Sequence, residues 1–297
     1  TGRGLMATKD IPAGSSIISV SAKFLITINT VFEYFSKSRD IYQLNEQAAL
    51  ALFLAAQRKS RPINGIWNAY LDMIPKNFNT VAANLPIELL KLLPWQVQEM
   101  ARKQVETFEK DYEAVVALLS ARTEDSDIPI EKGDYHWAWY AVNTRCITLN
   151  TSITAKSAAS KKLGLGNKKK ASKPTPKIAL APFLDLLNHS LTAKINANFN
   201  PKTDAFEIIA LETVEKGQEC FISYGAHDNA FLLAEYGFVI TDLERGLRDG
   251  QQQEWWIHNP YDHVVLDREV VGLLIPEERK GFRERVMGEL EGTGLFG

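Results

Sequence analysis

Asp185-Leu186-Leu187-Asn188-His189-Ser190 ends an apolar run in two side chains that can each donate and accept hydrogen bonds. Such a pair suits a purine edge or a polar backbone; equally, it suits a capped turn with His189 as a satisfied core histidine. Phe221-Ile222-Ser223-Tyr224-Gly225 places a tyrosine at the end of an apolar strand, where its hydroxyl can orient a reacting nitrogen or simply pack. Tyr236-Gly237-Phe238 offers two more rings twelve residues on. Near the start, Gly2-Arg3-Gly4-Leu5 would let another group come close to the backbone. It lacks the third glycine and the following helix of a dinucleotide fingerprint, so a nucleotide-binding oxidoreductase is disfavoured. His136, His189, His227, His258 and His263 form no HxxxH or HExxH pair, and no CxxC pair has zinc-ligand spacing. No metal site is expected.

These residues need elements to hold them. Gly2 to Ile28 reads as short strands and turns, with Ile17-Ile18-Ser19-Val20 and Phe24-Leu25-Ile26 as the apolar runs. From Gln43 to Lys59, Leu44, Ala48, Ala51, Leu52 and Ala55 recur at helical spacing and predict one buried face. Pro94 ends a shorter helix, and Val97, Ala101, Val105, Phe108, Tyr112, Val115 and Leu119 repeat the pattern over a longer one. Asp134 is the expected cap of a further helix through Trp137, Tyr140 and Ala141. Beyond a lysine-rich stretch at Lys156–Lys177, expected to be a disordered loop, strands return at Ala205–Leu211 and Glu219–Ser223. Asp228 should cap a short helix ending at Tyr236-Gly237. Later residues predict a strand at His263–Leu266 and a charged helix from Pro276.

One internal similarity links the two β regions. Ala7–Ile18 (ATKDIPAGSSII) and Ala210–Phe221 (ALETVEKGQECF) share an Ala, an apolar residue four on, and a Gly three later. Two units of one design imply a β body whose halves are split by a helical insertion.

Composition narrows the classes. With 45% hydrophobic and 24% charged residues the chain has the balance of an ordinary globular protein. A net charge of −2 argues against direct nucleic-acid binding or an anionic membrane surface. No run approaches the roughly 20 apolar residues of a membrane-spanning helix. Cys146 and Cys220 cannot build a disulfide framework, which fits a reducing compartment, cytoplasm or nucleus. The chain has no initiator Met, so its natural N-terminus is expected upstream.

Taken in order, Gly-x-Gly before a β-unit, a helical insertion, Asp-x-x-Asn-His-Ser, Ser-Tyr-Gly and Tyr-Gly-Phe resemble the SET domain. The helix ending Val142-Asn143-Thr144-Arg145 and the long insertion resemble the subgroup of the Rubisco large-subunit lysine methyltransferase. Ribosomal-protein lysine methyltransferases and the actin histidine methyltransferase belong to the same subgroup. The resemblance implies an α+β fold: residues 1–30 and 141–240 form the SET body, 31–140 the helical insertion, and 241–297 the start of a truncated substrate-binding domain. It implies S-adenosylmethionine as cofactor, held by Gly2, Arg3, Gly4, Arg145, Asp185, Asn188 and His189, with Arg145 on its carboxylate. It further implies Tyr224 as the catalytic residue and Tyr236 and Phe238 as lining of the substrate channel. The activity implied is methyl transfer to a lysine of a protein substrate by a monomer. Histidine as the methyl acceptor, or a non-catalytic SET-like binding module, are the alternatives.

Overall fold

The computed structural model describes residues 3–35, 39–63, 65–121, 129–149, 177–240 and 259–263, with backbone strands at 243–248 and 251–256. Thr1–Ile240 form one compact unit and Thr241–Gly297 a second. Gly2 and all of the lysine-rich stretch except Lys177 lie outside the described residues. So do the expected strand after His263 and the helix from Pro276.

The β body is built from short pieces. β1 (Leu5–Met6), β8 (Glu219–Ile222) and β5 (Asn188–His189) form one sheet in the order β1-β8-β5, with β8 antiparallel to β1 and parallel to β5. β2 (Ser16–Ser21), β7 (Ala205–Ala210) and β6 (Ile195–Asn200) form a second, antiparallel sheet, and β3 (Cys146–Thr148) pairs with β4 (Ile178–Leu180). Ile18, Val20, Leu184, Leu187, Phe206 and Ile208 close the core between them.

The two similar units lie against each other as a reciprocal clasp. Ile11 and Val214 exchange backbone hydrogen bonds of 2.8 and 2.9 Å. Gly217 donates to the Ala7 carbonyl and Gly14 to the Ala210 carbonyl, while Ala7 donates to Gln218 and Ala210 to Ser15. Gly14 and Gly217 turn the chain at the same left-handed angles, φ 82 and φ 86. A side chain would resist that conformation, which accounts for the shared glycine.

Between the units the chain is helical: α1 (Ile28–Tyr34), α2 (Glu46–Ser60), α3 (Asn68–Met73), α4 (Ile87–Leu90), α5 (Trp95–Ser120) and α6 (Lys132–Arg145). Asn45 caps α2 by accepting the Ala48 N–H at 2.8 Å. One buried face was expected for α2, but every residue from Ala48 to Gln57 is buried. Small alanines let α1, α3, α5 and α6 pack around it on all sides. On α5 the apolar stripe is real, with Val97, Ala101, Phe108 and Val115 buried, but Val105 faces solvent. Asp111 is buried on this helix and accepts from Asn45 at 2.5 Å and from the Trp139 indole at 2.9 Å, so its burial is compensated.

Two local expectations need correction. α6 begins one turn early, with Glu131 at its cap; Asp134 lies inside the first turn and pairs with Lys59. Phe24-Leu25-Ile26 is a 3-10 turn followed by a single bridge from Ile26 to Leu180, because Ala22–Phe24 close on themselves after β2. The polar stretch after Thr241 carries an antiparallel hairpin of β9 (Leu243–Arg248) and β10 (Gln251–Trp256). α6 also runs across position 140, so the helical segment ends directly on Arg145 and passes into β3 without a loop.

Candidate active site

Parallel pairing of β5 with β8 sets Asn188 beside Phe221 and His189 beside Ile222, so the Asn-His and Ser-Tyr segments emerge side by side. The Tyr224 N–H donates to His189 Nδ1 at 3.1 Å, and the Tyr224 hydroxyl donates to the Leu187 carbonyl at 2.9 Å. With Nδ1 accepting, the His189 proton sits on Nε2, a buried atom with no hydrogen-bond partner. Burial lowers the pKa of His189, which keeps the ring neutral.

α7 (Asn229–Tyr236) brings in the next two rings. Asp228 caps it by accepting the Phe231 N–H at 2.6 Å, and the helix stops at Gly237. Tyr236 then lies 5.0 Å from Tyr224 between ring centroids, and Phe238 lies 6.3 Å from Tyr224 and 6.1 Å from His189. Glu235, one residue before Tyr236, accepts from Gln104 of α5 at 2.9 Å and from Asn143 of α6 at 2.7 Å. The short helix is thereby pinned to the helical segment. Burial pushes both Tyr224 and Tyr236 up to about 12, so both hydroxyls stay protonated near neutral pH.

Of the residues singled out by sequence, Arg145, Asp185, Tyr224 and Tyr236 line one cavity and Arg3, Gly4 and Asn188 another, while His189 and Phe238 line neither. A channel of about 440 Å³ is lined by Arg145, Cys146, Ile147, Asp185, Ile222, Ser223, Tyr224 and Tyr236. A cleft of about 640 Å³ is lined by Arg3, Gly4, Met73, Leu186, Asn188 and Glu219, among others. Asp185 was grouped with Asn188 in the sequence, yet its side chain turns into the channel and is only 2% exposed. Its Oδ2 accepts the Tyr70 hydroxyl at 2.7 Å and lies 3.6 Å from Arg145 Nε. That separation makes an ion pair without a hydrogen bond. Burial raises the Asp185 carboxyl to about 6 although Tyr70 and Arg145 both oppose the shift. Arg3 donates to the Met73 carbonyl at 2.7 Å, and both residues line the cleft.

Arg145 Nε, Asp185 Oδ1 and His189 Nε2 are all buried and all lack a hydrogen-bond partner. An unsatisfied buried polar group costs on the order of 1–3 kcal/mol, so the Arg145–Asp185 pair, with an open atom on each partner at the channel, is suited to a polar ligand. Beside them the channel sets Ile147, Ile222, Tyr224 and Tyr236 among polar side chains such as Asn143, Thr148 and Ser223. The arrangement can hold a charged small molecule at one end and strip water from a side chain entering at the other. Among the described residues, no group of three His, Cys, Asp or Glu could hold a metal ion.

The SET domain family profile matches residues 2–225 of this chain. The chain belongs to the SET-domain family. It is 34% identical to "SET domain-containing protein 4" of Mus musculus over 250 residues, 80% of this chain and 52% of that protein. It is 26% identical to an actin-histidine N-methyltransferase of Danio rerio over 249 residues, 81% of this chain and 38% of that protein. Among solved structures, the SET domain of LSMT bound to lysine and AdoHcy matches with a TM-score of 0.58 at 17% identity, covering 83% of this chain and 54% of that one. The chain therefore spans about half the length of the mouse relative.

Within this SET domain, three residues of the site carried no signal in the sequence. Tyr70 reaches Asp185 from 115 positions away, Glu219 sits under Asn188, and Ile147 enters the channel from a three-residue strand. A tyrosine on a short helix, a strand-start glutamate and a strand isoleucine are all ordinary residues until the fold brings them together.

Proposed function

We propose that this SET domain transfers a methyl group from S-adenosylmethionine to a lysine side chain of another protein. One observation carries the reading: the buried polar atoms of Arg145 and Asp185 that lack hydrogen-bond partners line a channel together with Tyr224, whose ring lies 5.2 Å from that of His189. The residues fit the cofactor. Its carboxylate suits Arg145, its purine suits the Nε2 donor of His189, and its ammonium group suits an acceptor such as the Asn188 amide oxygen. S-adenosylmethionine supplies, when bound, an electrophilic methyl on a sulfonium.

The chain's own residues then align and desolvate. A lysine ammonium has no lone pair, so it must lose a proton before it can react. Tyr224 is protonated and cannot serve as the base near neutral pH. The apolar surroundings of Ile147, Ile222, Tyr224 and Tyr236 instead lower the amine's own pKa, and the proton leaves to water before the amine is sealed in. Tyr224 orients the neutral amine and Tyr236 narrows the space around it, with Phe238 packed against both rings. An apolar channel also suits the long aliphatic stem of lysine. The solved SET domain bound to lysine and AdoHcy supports this acceptor, and the actin-histidine relative supports histidine as the second reading.

Incubation with isotopically labelled S-adenosylmethionine and a eukaryotic lysate, followed by identification of the labelled residue, tests the proposal. Label on lysine is the expected result. Label on histidine replaces the acceptor and keeps the chemistry. Tight cofactor binding with no labelled protein would leave a docking module in place of an enzyme.

A further inference from the structure

The cleft below Asn188 contains a carboxylate that the motifs did not point to. Glu219 opens β8, and its Oε1 accepts one hydrogen of the Asn188 amide at 2.6 Å. The second Nδ2 hydrogen goes to the Arg3 carbonyl at 2.8 Å. A side-chain amide has only two hydrogens, so both are used and Oδ1 is left outward as a pure acceptor. Gly4 belongs to the same arrangement. A Cβ at Gly4 would run into Glu219 Oε1 and come within 2.9 Å of Asn188 Nδ2. The glycine thus makes room for the Asn188–Glu219 pair itself, and not only for a ligand.

We infer that Glu219 is a positioning residue that locks the Asn188 amide, so that the cleft presents an acceptor to a protonated primary amine. The inference rests on the proposed use of S-adenosylmethionine, whose methionine end carries such a group. An amide without the lock is held only by the Arg3 carbonyl and can turn its NH2 toward the ligand. A donor facing an ammonium is repulsive, so the orientation decides whether the amine is bound or refused. Glu219 itself need not touch the ligand.

Two variants separate the lock from the charge. Glu219→Met keeps the length of the side chain and removes the acceptor; Glu219→Gln keeps an acceptor oxygen and removes the charge. Calorimetry with two probes reads the outcome: S-adenosylhomocysteine, which carries the ammonium, and 5′-deoxy-5′-methylthioadenosine, which lacks it. Glu219→Met should weaken S-adenosylhomocysteine about tenfold, the scale of one charge-assisted hydrogen bond, and leave the second probe within about twofold. Glu219→Gln should retain most of the affinity for both. Equal losses on both probes, no loss on either, or a Gln variant as weak as the Met variant would each overturn the lock. Should Glu219→Met fail to fold, the Asn188 side-chain amide signals of the unaltered protein decide the matter. Two hydrogens slow to exchange support the lock, and two that exchange freely overturn it. Failure of both probes to bind the unaltered protein would instead defeat the proposed cofactor, and the amide signals would still judge Glu219.

Discussion

In the helical segment nearly every buried side chain is apolar, and α2 is out of solvent from Ala48 to Gln57. In the β body the strands run from two to six residues, and the cavity lined by Asp185 and Tyr224 and the cleft lined by Gly4, Asn188 and Glu219 lie against them. The first region gains free energy from a continuous apolar core; buried polar atoms without partners occur in both regions, at Trp67, Gln104 and Tyr135 as well as at Arg145, Asp185 and His189, but of these six only Arg145 and Asp185 line the channel. Stability and chemistry are thus located in different parts of one compact unit. They meet where α6 ends on Arg145 and where Glu235 ties α7 to α5 and α6.

The separation breaks most easily at Phe53, a fully buried ring at the centre of α2 that meets Tyr34 and Trp67 edge-on. Phe53→Ala should lower unfolding free energy by about 3–5 kcal/mol in a denaturant titration. The folded fraction should still bind S-adenosylhomocysteine as before. Lost affinity at unchanged stability would show the helical core to be part of the site.

Tyr224→Phe probes the opposite side of the comparison. It should slow methyl transfer about a hundredfold, the scale of one preorganised transition-state hydrogen bond. Its effect on stability should stay near 1 kcal/mol, from the lost bond to the Leu187 carbonyl. Single-turnover kinetics beside a melt make the measurement. A normal rate would remove Tyr224 from the chemistry and leave Tyr236 as the next residue to test.

Asp185 puts a sign on what the site costs. Its carboxyl titrates at about 6 in the folded protein, against roughly 4 for an unfolded aspartate. Between those values the folded state holds more protons than the unfolded state, so stability falls as pH rises through 4 to 6. Asp185→Asn should then be more stable than the parent by about 1–3 kcal/mol at pH 8, with the gain fading toward pH 4. Denaturant melts across that range check it, and a gain independent of pH would point to another cause.

The smallest effect is expected at Asp228. Asp228→Ala removes the cap bond to Phe231 and should cost about 1 kcal/mol in a thermal or chemical melt. Because the capped helix carries Tyr236, methyl-acceptor binding should weaken more than cofactor binding. Equal weakening of both would place α7 outside the channel wall.

What the sequence revealed follows the range of each interaction. Helices with periodic apolar residues and the Asp228 cap are local, and α5 and α7 stand close to where periodicity puts them. Asp134 was misread because a carboxylate one turn inside a helix looks like a cap until its partner Lys59 is known. The β9–β10 hairpin was missed because Leu243–Arg248 and Gln251–Trp256 lack apolar alternation. At the site, Asn188, His189 and Tyr224 stand out by order and spacing. Tyr70 and Glu219 do not, since their partners lie 115 and 31 positions away and no local pattern links them.

The reciprocal clasp bears on how the chain reaches its native state. Asp10 receives the Lys216 N–H from 206 positions away, and the Ile11–Val214 exchange beside it spans almost as much chain. Closing so long a loop is entropically unfavourable and returns only a handful of hydrogen bonds, so this contact is a poor nucleus. The helices between the two units are local and apolar, and their collapse draws the ends of that loop together. Folding by this logic runs from the middle outward: the clasp, and the β1-β8-β5 sheet that carries Asn188 beside it, form last.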